Sequence, residues 1–194
     1  ANSKLDFSAD KTLTLAQSLY EKKVLSYPRT GSRYISEDVF EEIPSRITLL
    51  QQYPRFAAIA SVLRDTPLNR RSVDDAKVTD HHALLPTKSM ANADLAALPA
   101  GERNILRLIA ARLLCAVGEP YCYAETTLTT ICAGAEFTAK GKVVLSEGWK
   151  VVERKMLGEL LGKQKEPAVL PDVQEQSQCS VAGAELKEGQ TSPP

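Results

Sequence analysis

Ser26-Tyr27-Pro28-Arg29-Thr30-Gly31-Ser32-Arg33-Tyr34 sets a tyrosine two residues before an arginine, with hydroxyls and a second arginine close behind. Pro28 fixes its own φ and biases Tyr27 toward an extended conformation, so the two side chains project from a stiff segment rather than from a helix face. These residue types point to phosphodiester chemistry. A phenol ionises near pH 10, so only about one in a thousand is phenolate at pH 7, and a neighbouring guanidinium favours the ionised nucleophile while it holds phosphate oxygens.

On either side of this loop the pattern is helical. Residues 9–23 read as a helix with Asp10 as N-cap, and Leu13, Ala16, Gln17 and Tyr20 recur at i, i+3, i+4 and i+7, which assigns Tyr20 to core packing. Ser36 caps a second helix over 37–43, with Glu37 and Asp38 in its first turn and Pro44 at its end. Further helical patterns occupy 45–52 and 55–64. A polar loop from Asn69 to Asp80 carries Arg70-Arg71 and leads into His81-His82. After a turn over 92–99, residues 101–116 form an amphipathic helix through Ile105, Leu106, Ile109, Ala110, Leu113 and Leu114.

From Tyr121 the character changes. Ala124 to Cys132 is rich in Thr and β-branched residues, Ala133-Gly134-Ala135 makes a turn, and Phe137 to Lys140 alternates back, with Gly141 and Gly148 as the next breaks. Residues 158–170, passing through Pro167, read as a charged connector, and Asp172 to Lys187 alternates weakly as one or two edge strands. The expectation is an α+β arrangement, a helical unit over 1–118 followed by an antiparallel β unit over 119–194.

Composition narrows the class. The chain has 194 residues, 43% of them hydrophobic, which suits one or two globular domains. No apolar run reaches membrane-span length. The opening Ala-Asn-Ser-Lys-Leu lacks an initiator methionine, and the chain reads as a piece cut from a longer, cytoplasmic protein. Its four cysteines form no CxxC pair, so free thiols are expected rather than disulfides or zinc. The formal net charge is zero, but residues 1–115 carry 16 Lys and Arg against 13 Asp and Glu (+3), and residues 116–194 carry 8 against 11 (−3). The basic excess therefore lies on the motif-bearing half, and it is too small for a strongly cationic groove.

Three segments in order, Ala16-Gln17-Ser18-Leu19-Tyr20-Glu21, the Tyr27 loop, and Asp80-His81-His82-Ala83-Leu84-Leu85-Pro86-Thr87, resemble the type IA DNA topoisomerases, closest to the topoisomerase III branch. In that family an AQ-x-LYE helix leads into a Y-P-R-T-D-S-like loop carrying the nucleophile, and an H-H-A-I-I-P-T-like element follows. One position departs: the family usually has Asp where Gly31 stands. The resemblance, over roughly residues 10 to 155, implies a winged-helix-like helical domain joined to part of an antiparallel β arch. It also implies cleavage of one DNA strand through a 5′-phosphotyrosine, strand passage and religation, without ATP. Mg²⁺ in that family is held by an amino-terminal toprim domain that this sequence does not contain, so the fragment alone is expected to be inactive.

Within that frame Tyr27 is the expected nucleophile and Arg29 the guanidinium on the scissile phosphate. By the resemblance His81 contacts the phosphate near the nucleophile, as donor or cation. Ser32 and Thr87 are candidate phosphate or sugar contacts, and Arg33 tracks the strand. His81 and His82 are the only histidines, and their adjacency argues against a metal pair, because neighbouring side chains face different ways. Trp149 resembles the family's G-W and is assigned to the core of the β unit. The expected partner is single-stranded DNA, held by a monomer with about two to four phosphate contacts, from Arg29, Arg33, a protonated His81 and Arg70. A tyrosine recombinase fits less well, since it places its tyrosine near the C-terminus, after two arginines and an H-x-x-R element. A non-catalytic winged-helix DNA-binding module is the alternative from another class.

Overall fold

The computed structural model describes residues 1–160 and 168–191, apart from the side chain of Arg55. The helices run α1 (Asn2–Leu5), α2 (Ala9–Glu21), α3 (Glu37–Glu41), α4 (Ile43–Gln51), α5 (Pro54–Arg64), α6 (Ala100–Val117) and α7 (Trp149–Leu157). Two strands, β1 (Cys122–Cys132) and β2 (Ala135–Ser146), stand between α6 and α7. The fold class is α+β, as the sequence indicates. No helix among the described residues is long and apolar enough to cross a membrane.

Local chemistry sets the element ends. Ser8, rather than Asp10, caps α2 by accepting from the Lys11 amide at 3.2 Å, and Asp10 sits in the first turn, where a carboxylate suits the helix dipole. Pro44 does not end α3 but stands in the first turn of α4, where its missing N–H costs nothing. Leu19, Ile43, Ile47, Leu50, Ala110 and Leu114, each fully buried, knit α2, α4 and α6 into one core. A buried ion pair pins α2 to α6: Glu102, 5% exposed, accepts from Lys22 Nζ at 2.6 Å and from Ser18 Oγ at 2.8 Å.

β1 and β2 form an antiparallel hairpin paired from Cys122↔Ser146 to Cys132↔Ala135. Ala133 and Gly134 both take positive φ (49° and 82°), the tight turn whose twist matches that of the strands. β2 does not break at Gly141 but runs through it. That glycine is required by close approach, since a Cβ there would lie 2.6 Å from Leu170 Cγ and 2.9 Å from the Ala168 carbonyl oxygen. The Lys142 amide donates to that same carbonyl at 3.0 Å.

Two expectations fail beyond the hairpin. Trp149 does not enter a β core. It opens α7, donates its amide to the Glu119 carbonyl at 2.8 Å, and packs with Val152, Met156 and Leu157 against the helical core. Arg107, buried on α6, holds this return by donating Nε to the Met156 carbonyl at 2.8 Å. α7 is thus part of the helical body, although the sequence reading groups it with 119–194. Nor do edge strands form over 172–187, which hold one turn and otherwise no regular structure; every side chain there is exposed, so the weak alternation buries no apolar face. Within the expected connector at 158–170, residues 161–167 lie outside the described residues.

Candidate active site around Tyr27

α2 delivers the tyrosine segment through a helix C-cap in which Lys23 adopts a left-handed φ of 61°. Its amide donates to the Tyr20 carbonyl at 2.8 Å and the Val24 amide to the Leu19 carbonyl at 2.9 Å, which consumes the last helix acceptors. Val24 and Leu25 are then fully buried. From here the chain pairs with 85–87: the Ser26 amide donates to the Leu85 carbonyl, the Leu85 amide to Ser26 Oγ, and the Thr87 amide to the Val24 carbonyl, each at 2.9 Å, around an antiparallel Leu25↔Pro86 bridge. The Tyr27 motif and the histidine motif, more than fifty residues apart in sequence, are therefore two sides of one short ribbon.

Tyr27 follows directly and is half-buried between two rings. The His81 ring centroid lies 4.6 Å away at 49°, and Tyr20 meets Tyr27 edge-on at 5.4 Å and 76°. Such offset and edge-on contacts are favourable for ring quadrupoles and limit ring rotation. Thr30 ties the two motifs again, since its Oγ1 donates to the His81 carbonyl at 2.9 Å and accepts from the Ser32 amide at 3.1 Å. Farther along, the Ala83 amide donates to the Tyr34 carbonyl at 2.8 Å, and Ile35 forms a parallel bridge with Val73.

Tyr27, Arg29 and His81 stand on this ribbon and its exit loop, with Arg29 and His81 exposed. Neither Arg29 nor Arg33 has a hydrogen bond or ion pair to another described residue. Two guanidiniums left free beside a tyrosine are available to an anion. Ser32 and Thr87 are differently placed. Ser32 Oγ accepts from the Tyr34 amide at 3.0 Å and gives its proton to the carbonyl of Lys77 (2.9 Å) or Tyr34 (3.2 Å), and the Thr87 hydroxyl donates to the Lys23 carbonyl. Both hydroxyls hold the loop's own backbone. His82 turns away from Tyr27 and bonds the Ala83 carbonyl through Nδ1 at 2.6 Å.

Nearby charges are mostly satisfied within the fold. Lys77 pairs with Asp74 at 2.7 Å, which raises the ammonium and lowers the carboxyl, and its Nζ sits 4.6 Å from the Tyr34 ring centre. Arg70 pairs with Glu37 and lies 4.5 Å over Phe40, so it serves the scaffold. Among the described residues no three His, Cys, Asp or Glu side chains cluster as a metal site.

Tyr20 and Thr30 are the neighbours that sequence reasoning did not single out. Helical periodicity places Tyr20 on the core face, yet at the last turn of α2 it is 40% exposed and reaches past the core onto Tyr27. The signal for it was the AQ-x-LYE motif, not periodicity.

The sequence matches the DNA topoisomerase family over residues 1–194. It is 37% identical over 196 residues to DNA topoisomerase 3 of Bacillus licheniformis, covering all of this chain and 26% of that protein. DNA topoisomerase 3 of Bacillus cereus is 35% identical over 198 residues and that of Bacillus subtilis 34% over 196, each with 27% of its length covered. The chain thus spans about a quarter of the length of these relatives. With a match running the whole length of the chain, and with the three motifs folded together around Tyr27, this chain belongs to the DNA topoisomerase family, in the type IA, topoisomerase III branch that its motifs resemble.

Proposed function

We propose that this chain supplies the nucleophile of a type IA DNA topoisomerase. Tyr27 Oη attacks a phosphodiester of one DNA strand, the phosphorus–O3′ bond breaks, and the strand's 5′ end is left on the tyrosine as a phosphotyrosine. The phenolic proton is lost and the departing 3′ oxygen gains one. Attack of that hydroxyl on the phosphotyrosine reverses the exchange after another strand has passed, and because one phosphoester replaces another, ATP is not needed. Arg29 holds the phosphate and offsets the charge gathering on it. His81 donates to the same group from the other side of the ring, and Arg33 follows the strand.

The observation that carries this reading is the Tyr27 ring held against His81 at 4.6 Å beside an Arg29 that no described carboxylate pairs. The full-length protein is proposed to act on single-stranded DNA in the cytoplasm, and this fragment to be a monomer. The Mg²⁺ that the resemblance implies does not suit the residues of this chain, whose described part holds no acidic cluster, and it is proposed to be bound by a toprim domain elsewhere in the full-length protein. This chain alone should accordingly relax no supercoiled DNA, with or without Mg²⁺.

A 3′-labelled single-stranded oligonucleotide tests the proposal. The full-length protein should carry the label through a denaturing gel, and Tyr27→Phe should bind the oligonucleotide but carry none. An adduct that persists in Tyr27→Phe would overturn Tyr27 as the nucleophile, and binding with no adduct in the wild type would favour a non-catalytic winged-helix module.

A further inference from the structure

The ribbon that carries Tyr27 is short, one residue pair flanked by two ladder bonds, and by itself is a small platform for a nucleophile. Pro86 sits opposite Leu25 at a non-hydrogen-bonded position, where its missing N–H breaks no ladder bond, and the Leu25 amide turns outward to the Leu19 carbonyl at 3.3 Å. Pro86 is fully buried, out of reach of water. What meets its carbonyl is a guanidinium from another helix. Arg46 on α4, 8% exposed, donates Nη1 to the Pro86 carbonyl at 2.6 Å and Nη2 to Glu42 at 2.8 Å, and the second Glu42 oxygen takes Lys88 Nζ at 2.9 Å.

Stability alone does not explain this arginine. Its Nε is buried with no partner among the described residues, which is a cost, and its carboxylate partner Glu42 is 43% exposed, so the ion pair itself adds little stability. Position explains it better. The planar fork fixes the direction of two bonds at once, one to the ribbon and one toward α4, so the tyrosine segment is referenced to α4 through Pro86, the partner of Leu25 two residues before Tyr27. Lys88, just past Thr87, closes the same ring of contacts from the histidine side.

We propose that Arg46 is a positioning residue that sets the Tyr27 segment through the Pro86 carbonyl, within the activity proposed above. The test uses the full-length protein with Arg46→Met and Arg46→Lys. In Arg46→Met the single-turnover rate of adduct formation on saturating 3′-labelled oligonucleotide should fall about tenfold to hundredfold, the scale of a misplacement of about 1 Å. The Kd for that oligonucleotide should stay within about twofold, as expected where a loss falls on the chemical step. Hydrogen exchange should quicken in peptides spanning 24–28 and 85–87 and little elsewhere. Arg46→Lys should recover part of the rate, since an ammonium reaches one acceptor well but not both in the guanidinium's geometry.

A wild-type rate in Arg46→Met would overturn the proposal, as would a loss shared equally among rate, affinity and Tm. Should Arg46→Met not fold, Arg46→Lys carries the same comparison. Should the wild type form no Tyr27-dependent adduct, the reading of function fails on its own. The exchange comparison then decides alone: unchanged exchange overturns the role of Arg46, and faster exchange confined to the two peptides upholds it.

Discussion

Arg29 is where residue type and position make the strongest demand. It is exposed, two residues from Tyr27, and unpaired among the described residues, so nothing in the fold explains it. Arg29→Ala in the full-length protein should slow adduct formation about a hundredfold to a thousandfold, equivalent to about 2.7–4 kcal/mol, and Arg29→Lys should restore only part. Unimpaired cleavage in Arg29→Ala would remove the role. Gly31 makes the opposite demand. Its φ is not left-handed and a Cβ built on it meets nothing within 4 Å, so the glycine is dispensable to the fold. Gly31→Asp should leave Tm unchanged or raise stability by up to about 1 kcal/mol, by narrowing the unfolded ensemble. A clear drop in Tm would mean that the open space is used. In the candidate site, the grouping of Tyr27 with His81 was legible because motifs state residue types in order. The work of Ser32, Thr87 and Thr30 was not, because each hydroxyl bonds a backbone group 45 to 64 residues away or in the next turn, which no local pattern encodes.

At the scale of elements, α2, α5 and α6 were legible because apolar spacing and a polar opposite face agree, with Pro54 at the head of α5 and Pro99 and Gly118 on either side of α6. What local reading missed are long-range events. β2 passes through Gly141 because Ala168 and Leu170 press on it, and α7 is a helix because Trp149 and Val152 find the end of α6. The α6–α7 contact also sets a measurable chemistry. Cys115, near the end of α6, is buried, and desolvation with a smaller push from Glu153 raises its thiol to about 12. Cys122, Cys132 and Cys179 are exposed. A mild disulfide reagent at pH 8, followed by peptide mapping, should label those three within minutes and Cys115 only on unfolding. The linkage sign follows from the raised value. The unfolded thiol ionises near pH 8.5 and the folded one near 12, so the folded state holds its proton longer and stability falls as pH climbs through that interval. Cys115→Ala should flatten that alkaline decline, and an unaltered decline would show that another group causes it.

For the whole molecule the question is how much charge is left to meet DNA. Residues 1–115 carry a +3 excess, but ion pairs among the described residues take up half of their sixteen cations, Arg112 with Glu153 among them. Lys22 is tied to Glu102, Arg64 to Asp65, Lys77 to Asp74, Lys88 and Arg46 to Glu42, and Arg107 to Glu159. Arg70, counted from the sequence as a fourth contact, is withdrawn by Glu37 and Phe40. Beside Tyr27 this leaves Arg29 and Arg33, with a protonated His81 as a third. Each phosphate neutralised on a single strand contributes about −0.7 to the slope of log K against log salt, so two to three contacts predict a slope of about −1.4 to −2.1. Binding by this chain alone should be weak and should favour single strands over duplex, because the cations left beside Tyr27 lie on one loop. Fluorescence anisotropy with a labelled oligonucleotide, titrated across salt with single-stranded and duplex forms, measures both. Arg33→Ala should make the slope shallower by about 0.7, whereas Arg70→Ala should leave it unchanged, since its guanidinium already has a carboxylate and a ring. A steep slope, a preference for duplex, or a slope that moves with Arg70 would place the DNA on the face of α3 and its arginine loop instead of at Tyr27, and would favour the binding module over the enzyme.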